Sequence, residues 1–510
     1  MMKTLVRPID NLLNSFTMYR VVLYVLIALF GVSLVGSLAG IISFTPVSLI
    51  MSIVVLLAIC QGFNVLISKI LHAPTNVESA YITALILFFI MTPPSQSSEF
   101  MSLVLASLIA MAAKYLLAIS KKHIFNPAAI AAFILGLIGN ADAIWWVGTP
   151  ILSITIGILG LLIVRKIRRF KLWSTFMVTA LASMYFFNHG LYSSPVDFLL
   201  EAFTSWPILF FASVMLTEPI TMPVTNNLRV VFGGIVGLLF GAQFHVGPIF
   251  STPEFALIIG NIFAYFTGAK YHLQLALKSV QKLSADTYEV VFAYTGHHKP
   301  SFKPGQYLEW TVPHKKSDSR GNRRYFTIAS SPTEPDFKLG IKVPQKPSSF
   351  KNSLVALHKG AELAAGQLAG DFTMPPEKDK KLLFIAGGIG ITPFRSMVKY
   401  LTDKKESRDI VLVYACVDPD NFVYKDVFEK AKSIGVKTIY VVTNKDISKQ
   451  KWSGLTGRIT PEMLVEEVGD FKTRTAYLSG PNSMVDGYKD LLMLLGVNPL
   501  NIVTDYFPGF

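Results

Sequence analysis

Cysteine is nearly absent, with Cys60 and Cys416 the only two in 510 residues. Iron–sulfur clusters usually take four thiolates and disulfide frameworks take closely spaced sets, so two isolated thiols support neither. Histidine is sparse too. His72, His123, His189 and His245 stand singly near the ends of apolar runs, whereas a membrane haem needs paired histidines facing each other. Charged residues make up only 16% of the chain, and the 33 acidic ones are outnumbered by 47 Lys and Arg. What abounds is apolar surface: 51% hydrophobic residues and a mean hydropathy of +0.46 are too apolar for a wholly soluble chain.

The apolar residues fall in ten runs, at 20–41, 44–68, 79–92, 100–118, 127–139, 143–164, 173–187, 204–217, 228–243 and 254–267. They predict a polytopic α-helical membrane domain of about ten spans over 1–270. Several runs are shorter than the roughly 20 residues that cross a bilayer, which predicts discontinuous helices. The first run is long, and nothing after it resembles a mature soluble start, which argues against a cleavable signal peptide. Basic residues occur at alternate connections: Lys3, Arg7 and Arg20; Lys69; Lys114, Lys121 and Lys122; the cluster from Arg165 to Lys171; Arg229; Lys270. Positive residues stay inside, so both ends of this domain are expected in the cytoplasm. That placement accounts for the basic cluster and the net charge of +14 without nucleic acid.

An internal echo runs through the spans. Thr92-Pro93-Pro94 answers Thr217-Glu218-Pro219, and Asn126-Pro127 answers Thr252-Pro253, each before a helix of small residues. Five spans separate the copies, and an odd number inverts the second, so an inverted repeat with interrupted helices is expected. Asn126, Pro127, Thr217 and Glu218 then sit toward the cytoplasm and Thr92 toward the outside. Exposed helix ends there are candidate seats for two membrane-held cofactors, since a core of about 30 Å is too thick for one.

Beyond 270 the pattern changes to alternating strands such as Leu273-Gln274-Leu275-Ala276-Leu277. In Arg324-Tyr325-Phe326-Thr327, a guanidinium for phosphate, an aromatic for a flat ring and a hydroxyl for its edge lie on one strand. Ser349, Phe350 and Lys351 open a short helix suited to a pyrophosphate. An apolar strand at 382–386 runs into Gly387-Gly388-Ile389-Gly390-Ile391-Thr392-Pro393, a glycine turn that lets backbone approach a dinucleotide before a proline-started helix. Ser479-Gly480-Pro481 follows a further strand. The closing aromatics, ending in Phe510, are placed to cover a ring. Asp418 and Asp420 would repel a ribose 2′-phosphate and favour NADH over NADPH.

Residues 1–270 resemble the NqrB/RnfD family of flavin-carrying membrane subunits, through Ile82-Thr83-Ala84-Leu85, Thr92-Pro93-Pro94, His123-Ile124-Phe125-Asn126-Pro127 and Leu216-Thr217-Glu218-Pro219. The resemblance implies FMN or riboflavin in the membrane domain. The family's Ser-Gly-Ala-Thr attachment segment is missing, so the flavin is expected to be non-covalent. The set from Arg324 to Pro481 is similar to the ferredoxin–NADP reductase superfamily over about 272–510. That resemblance implies an FAD-binding β-barrel over 271–376 and an α/β nucleotide-binding domain over 377–510, hydride transfer from NADH or NADPH, and Thr327, Ser479 and Phe510 around the reacting rings. Ser479 departs from the cysteine many members carry. The expected function is a cell-membrane, multi-pass oxidoreductase with cytoplasmic reductase domains, passing electrons from NAD(P)H to quinone or an extracytoplasmic acceptor. The rivals are a haem-type ferric reductase or NADPH oxidase-like enzyme and a redox-sensing transporter; oligomeric state is not readable.

Overall fold

The computed structural model describes residues 8–505 apart from 11, 14–15, 71–76, 97–98, 120–121, 140–142, 269–272, 297–300, 313, 315–321 and 449–450. It divides into two compact units, Met1–Gly268 and Ala269–Pro508.

The first unit is helical: α1 (Met18–Leu38), α2 (Pro46–Ile70), α3 (Val77–Ile90), α4 (Phe100–Leu116), α5 (Pro127–Leu137), α6 (Pro150–Ile167), α7 (Phe170–Asn188), α8 (Pro195–Thr204), α9 (Asn226–Gly241) and α10 (Pro253–Thr267). Nine of the ten apolar runs fall on one of these, and 204–217 falls on the helical segment Ile208–Met215. By length and composition α1, α2 and α6 can cross a membrane, and α8 with Ile208–Met215 makes a fourth candidate if that pair, bent by 62°, is one span. α3, α4, α5, α9 and α10 are apolar but only 10–17 residues long. Of the ten spans expected from sequence, three or four therefore have the length and composition among the described residues.

The local cause of the short helices is legible. α5, α8 and α10 each begin on a proline behind a side-chain cap from Asn126, Ser194 or Thr252. Proline has no N–H to lose at a first turn, and the cap satisfies one that would be orphaned. Once formed, α9 lies tight on α7. A Cβ at Gly237 would stand 2.8 Å from the Phe176 carbonyl oxygen, so glycine there sets the approach of the two backbones.

The second unit opens with β1 (Leu273–Lys282), β2 (Thr287–Tyr294), β3 (Tyr307–Thr311), β4 (Arg323–Thr327), β5 (Phe337–Lys342) and β6 (Glu362–Ala369), with helix α11 (Ser349–Val355) before β6. These strands form an antiparallel sheet in the order β4-β3-β6-β1-β2-β5. Its two edges meet where Ala329 N–H donates to the Lys338 carbonyl at 2.9 Å, which makes the sheet barrel-like. Alternation does the rest: Leu273, Leu275 and Leu277 turn into one core with Phe292, Trp310 and Phe337.

A parallel sheet follows, of β7 (Leu382–Gly387), β8 (Ile410–Cys416), β9 (Val436–Val442), β10 (Leu455–Thr456), β11 (Thr475–Ser479) and β12 (Ile502–Thr504), with α12 (Thr392–Lys404), α13 (Lys425–Lys430), α14 (Pro461–Glu467) and α15 (Asn482–Leu494). Every residue of β7, β8 and β11 is buried, as expected for strands covered on both faces. Strand order is β10-β9-β8-β7-β11-β12. The chain thus moves outward from β7 on one side, then returns to β7's other side as β11. Between β7 and β11 the order reverses, and a doubly wound sheet opens a crevice at the carboxyl ends of such strands.

Candidate functional site

A cleft of about 940 Å³ occupies that crevice, near the upper end of the few hundred to about 1,000 Å³ typical of ligand sites. Each sequence element contributes through the end of a strand. β4 supplies Tyr325, Phe326 and Thr327, and α11 supplies Lys351. The turn after β7 supplies Gly387, Gly388, Gly390 and Thr392, and the turn after β11 supplies Ser479, Gly480 and Pro481. Motifs separated by more than 150 residues in sequence therefore line one cleft.

The glycines fit a ligand backbone rather than side chains. Gly388 has φ of 53°, a left-handed conformation costly for other residues, with open space where its Cβ would stand. At Gly390 an added Cβ would lie 2.6 Å from Gly480 Cα and closer still to the Ser479 carbonyl. The two turns are thus packed glycine to glycine, leaving the N–H groups at the start of α12 near the cleft. Helix N-termini of this kind suit phosphate. Pro393 is buried in the first turn of α12.

Arg324, Ser349 and Phe350 stand behind the cleft wall. The Arg324 guanidinium lies 5.3 Å from the Phe350 ring centroid, and Phe350 in turn sits 5.8 Å from Phe326. Phe350 is fully buried in the barrel core, so its contact with any ligand passes through Phe326. Ser349 Oγ hydrogen-bonds His314 Nε2 at 3.1 Å. Phe510 lies outside the described residues.

Asp505, at the end of β12, lines the cleft and was not singled out by sequence reasoning. Ser479 Oγ donates to its Oδ2 at 3.2 Å. Burial pushes the Asp505 carboxyl up to about 7, and the Ser479 bond opposes this only in part. A proton is therefore held or released near neutral pH beside a hydroxyl in the cleft. The signal available in sequence was a lone carboxylate ending an apolar strand. Asp418 and Asp420 are instead engaged by Lys451, at 2.9 and 3.3 Å, and are not among the cleft's lining.

In the helical unit the Asn126 and Glu218 side chains meet. Asn126 Nδ2 donates to Glu218 Oε2 at 2.9 Å, and His123 Nε2 lies 3.1 Å from the other oxygen. Asn126 Oδ1 caps α5 by accepting from Ala128 and Ala129 N–H, with Pro127 at the helix start. Asn261 of α10 accepts the Asn126 N–H at 2.9 Å. Thr217 is buried and bonds back to the Ser213 carbonyl, and Thr92 is exposed, outside this network. Across the unit, Trp145 Nε1 donates to the buried Glu254 at 3.0 Å, while Trp145 N–H donates to the Ile90 carbonyl just before Thr92. Two polar stations thus stand in an apolar helical body. Among the described residues no group of three or more His, Cys, Asp and Glu is placed to hold a metal.

Residues 384–490 match the model of the family described as oxidoreductase NAD-binding domain. The glycine betaine monooxygenase reductase subunit of Pseudomonas aeruginosa is 27% identical over 194 residues, 38% of this chain and 52% of that protein. Flavohemoprotein A of Dictyostelium discoideum is 25% identical over 219 residues, 41% of this chain and 53% of that protein. The chain spans about half the length of the curated relatives it matches. Among solved structures, the Amycolatopsis cytochrome P450 reductase GcoB gives a TM-score of 0.41 at 21% identity, over 46% of this chain and 70% of that one. The C-terminal half is thus similar to reductase subunits and flavohemoproteins, and within it residues 384–490 match an oxidoreductase NAD-binding domain.

Proposed function

We propose that the chain is a membrane-bound flavoprotein oxidoreductase that takes a hydride from NADH, and less well NADPH, onto FAD and passes electrons into its helical domain. The observation that carries this reading is the cleft at the sheet's reversal, which strand β4, the glycine turn and the Ser479–Asp505 pair line together. Bound FAD supplies the hydride acceptor and the nicotinamide ring the donor. The chain supplies everything else. The Gly388–Thr392 backbone takes the dinucleotide's pyrophosphate, and Lys351 takes that of FAD, with Arg324 adding positive charge from behind the wall. Tyr325 and Phe326 offer ring faces, Thr327 a hydroxyl to the ring edge, and Gly480-Pro481 closes on the nicotinamide side. Ser479 orients the ring through its hydroxyl, and Asp505 holds a proton behind it. The same reading takes 1–270 as the membrane domain, 271–376 as the FAD barrel and 377–510 as the nucleotide domain.

For the onward path, we propose non-covalent FMN or riboflavin in the helical domain and a quinone or extracytoplasmic acceptor beyond it, with the reductase domains cytoplasmic. The Asn126–Glu218 pair, flanked in sequence by Pro127 and Thr217, and the Trp145–Glu254 pair near Thr92 supply the polar stations such carriers need in an apolar body. The names of the relatives favour a second outlet, an oxygenase or haem partner protein served by the same module.

The test is the absorption spectrum and acid-extracted flavin content of the purified full chain, with NADH and NADPH oxidation measured alongside. FAD plus a second flavin per chain is expected, with NADH preferred. Haem bands would sink the proposal, and FAD alone would remove the intramembrane carrier and favour the partner-protein outlet.

A further inference from the structure

A buried charge network outside the cleft joins the two halves of the reductase unit. Arg395, in the first turn of α12 and 4% exposed, donates from Nη1 to the Ala329 carbonyl at 2.9 Å. Its Nη2 donates to Glu334 Oε1 at 2.9 Å, and Nη1 bonds Glu334 Oε2 as well, so the pair is bidentate. The neighbouring Ser396 Oγ donates to the Ser330 carbonyl at 2.7 Å, and Thr333 Oγ1 bonds Asp403 two turns further along the helix. Glu334 also accepts the Ser331 N–H at 2.7 Å. Around the pair stand Lys338, 3.2 Å from Glu334, Glu289, 3.8 Å from Lys338, and the Tyr424 ring, 5.5 Å from the Arg395 guanidinium.

The position of these contacts in the chain gives them meaning. Ala329 and Ser330 follow Thr327 by two and three residues, and Arg395 and Ser396 follow the Gly388–Gly390 turn within seven. The bonds to the two carbonyls read backbone position, not side-chain identity. They hold the end of the strand that carries Tyr325, Phe326 and Thr327 at a set distance from the helix that carries the glycine turn. A bidentate guanidinium fixes angle as well as distance, which a single ammonium does not. Burial disfavours the Glu334 charge, but the Arg395 guanidinium overrides this and holds the carboxyl down at about 2. The pair therefore stays ionised wherever the protein is folded and active.

We infer that Arg395 and Glu334 are positioning residues for hydride transfer, setting the spacing between the flavin strand and the nicotinamide cradle. The inference rests on the proposed reaction and adds residues that touch neither cofactor. Reacting atoms must lie about 3–3.5 Å apart, and a misplacement of about 1 Å costs roughly 100-fold in rate. The spacing, more than cofactor affinity, is what this network sets.

The experiment is stopped-flow reduction of bound FAD by NADH in the full chain, comparing wild type with R395Q, E334Q, R395K and S396A. FAD content and apparent Kd for NADH are measured on the same samples. In R395Q the limiting reduction rate is expected to fall about 100-fold while Kd and FAD content stay near wild type. E334Q and S396A should fall less, and R395K should recover part of the loss. Should R395Q not fold, the order of the other three carries the test. Variants that retain FAD and reduce it at the wild-type rate, or that lose rate only in proportion to lost FAD, overturn the inference. A wild-type chain whose FAD is not reduced by NADH or NADPH overturns the proposed reaction itself, a result distinguishable from either.

Discussion

Asp505 gives the cleft a titratable group whose behaviour has a definite sign. Its carboxyl is raised to about 7 from an ordinary value of 3.8, so the folded chain holds a proton that the unfolded chain has lost. The contribution to stability is full below about pH 4 and is lost as pH rises through about 7. Thermal melting of the reductase unit, followed by flavin fluorescence between these limits, should show that slope in wild type and lose it in Asp505→Asn. A slope unchanged by the substitution would mean the proton sits elsewhere. Gly390 makes a second residue-scale test. Gly390→Ala forces a Cβ to within 2.6 Å of Gly480 Cα, an overpacking that costs about 1–3 kcal/mol. The expected outcome is at least a tenfold rise in the KM for NADH with FAD still bound, read by steady-state kinetics and flavin extraction. Glycines 387, 388 and 390 were singled out in sequence by their context, an apolar strand before and a proline-started helix after, since a glycine triplet alone also serves ordinary tight turns. Asp505 was not, because a single carboxylate becomes informative only when burial and a partner 26 residues away are known.

At the scale of elements, periodicity and punctuation served well where a helix or strand is specified locally. The ten apolar runs fell on helical segments, and Pro127 and Pro253 marked starts the structure confirms. Length was harder. Runs such as 127–139 extend past their helices, because an apolar run carries no signal of where its helix stops: Ile138, just beyond α5, is apolar yet exposed. The Arg395–Glu334 pair was invisible for a related reason: its residues lie 61 apart, on a loop and a helix with no shared pattern. An element-scale prediction concerns the start of α5. Asn126→Ala removes the cap on Ala128 and Ala129 and one bond to Glu218, so the helical unit should lose roughly 1–2 kcal/mol, with Asn126→Ser retaining part of the cap without setting a second carboxylate against Glu218. Detergent-solubilised melting would check it, and equal stability of the Ala and Ser variants would refute it.

For the whole molecule, the two native cysteines are both buried. Single cysteines introduced elsewhere can therefore report topology with little background. Under the proposed orientation, Ser43→Cys, in the connection between α1 and α2, should react with a membrane-impermeant thiol reagent in intact cells. Lys171→Cys, in the basic cluster, should react only after the cells are opened. The reverse pattern would invert the domain, and equal labelling in intact cells would remove it from the membrane. The division into a helical and a reductase part was legible because composition changes abruptly near residue 270. The number of full crossings was not, since three helices have the length and composition and the others are shorter or less apolar.

The architecture of the reductase unit also limits how it can be taken apart. The segment that matches a known domain, 384–490, carries the glycine turn and Arg395 but omits both Glu334 and Asp505. Grafted onto a foreign barrel, it would arrive with half of its clamp and none of its proton. Interchangeable cassettes would have to be cut in three dimensions instead, keeping the loop from Ala329 to Glu334 and the edge strand β12 with the graft.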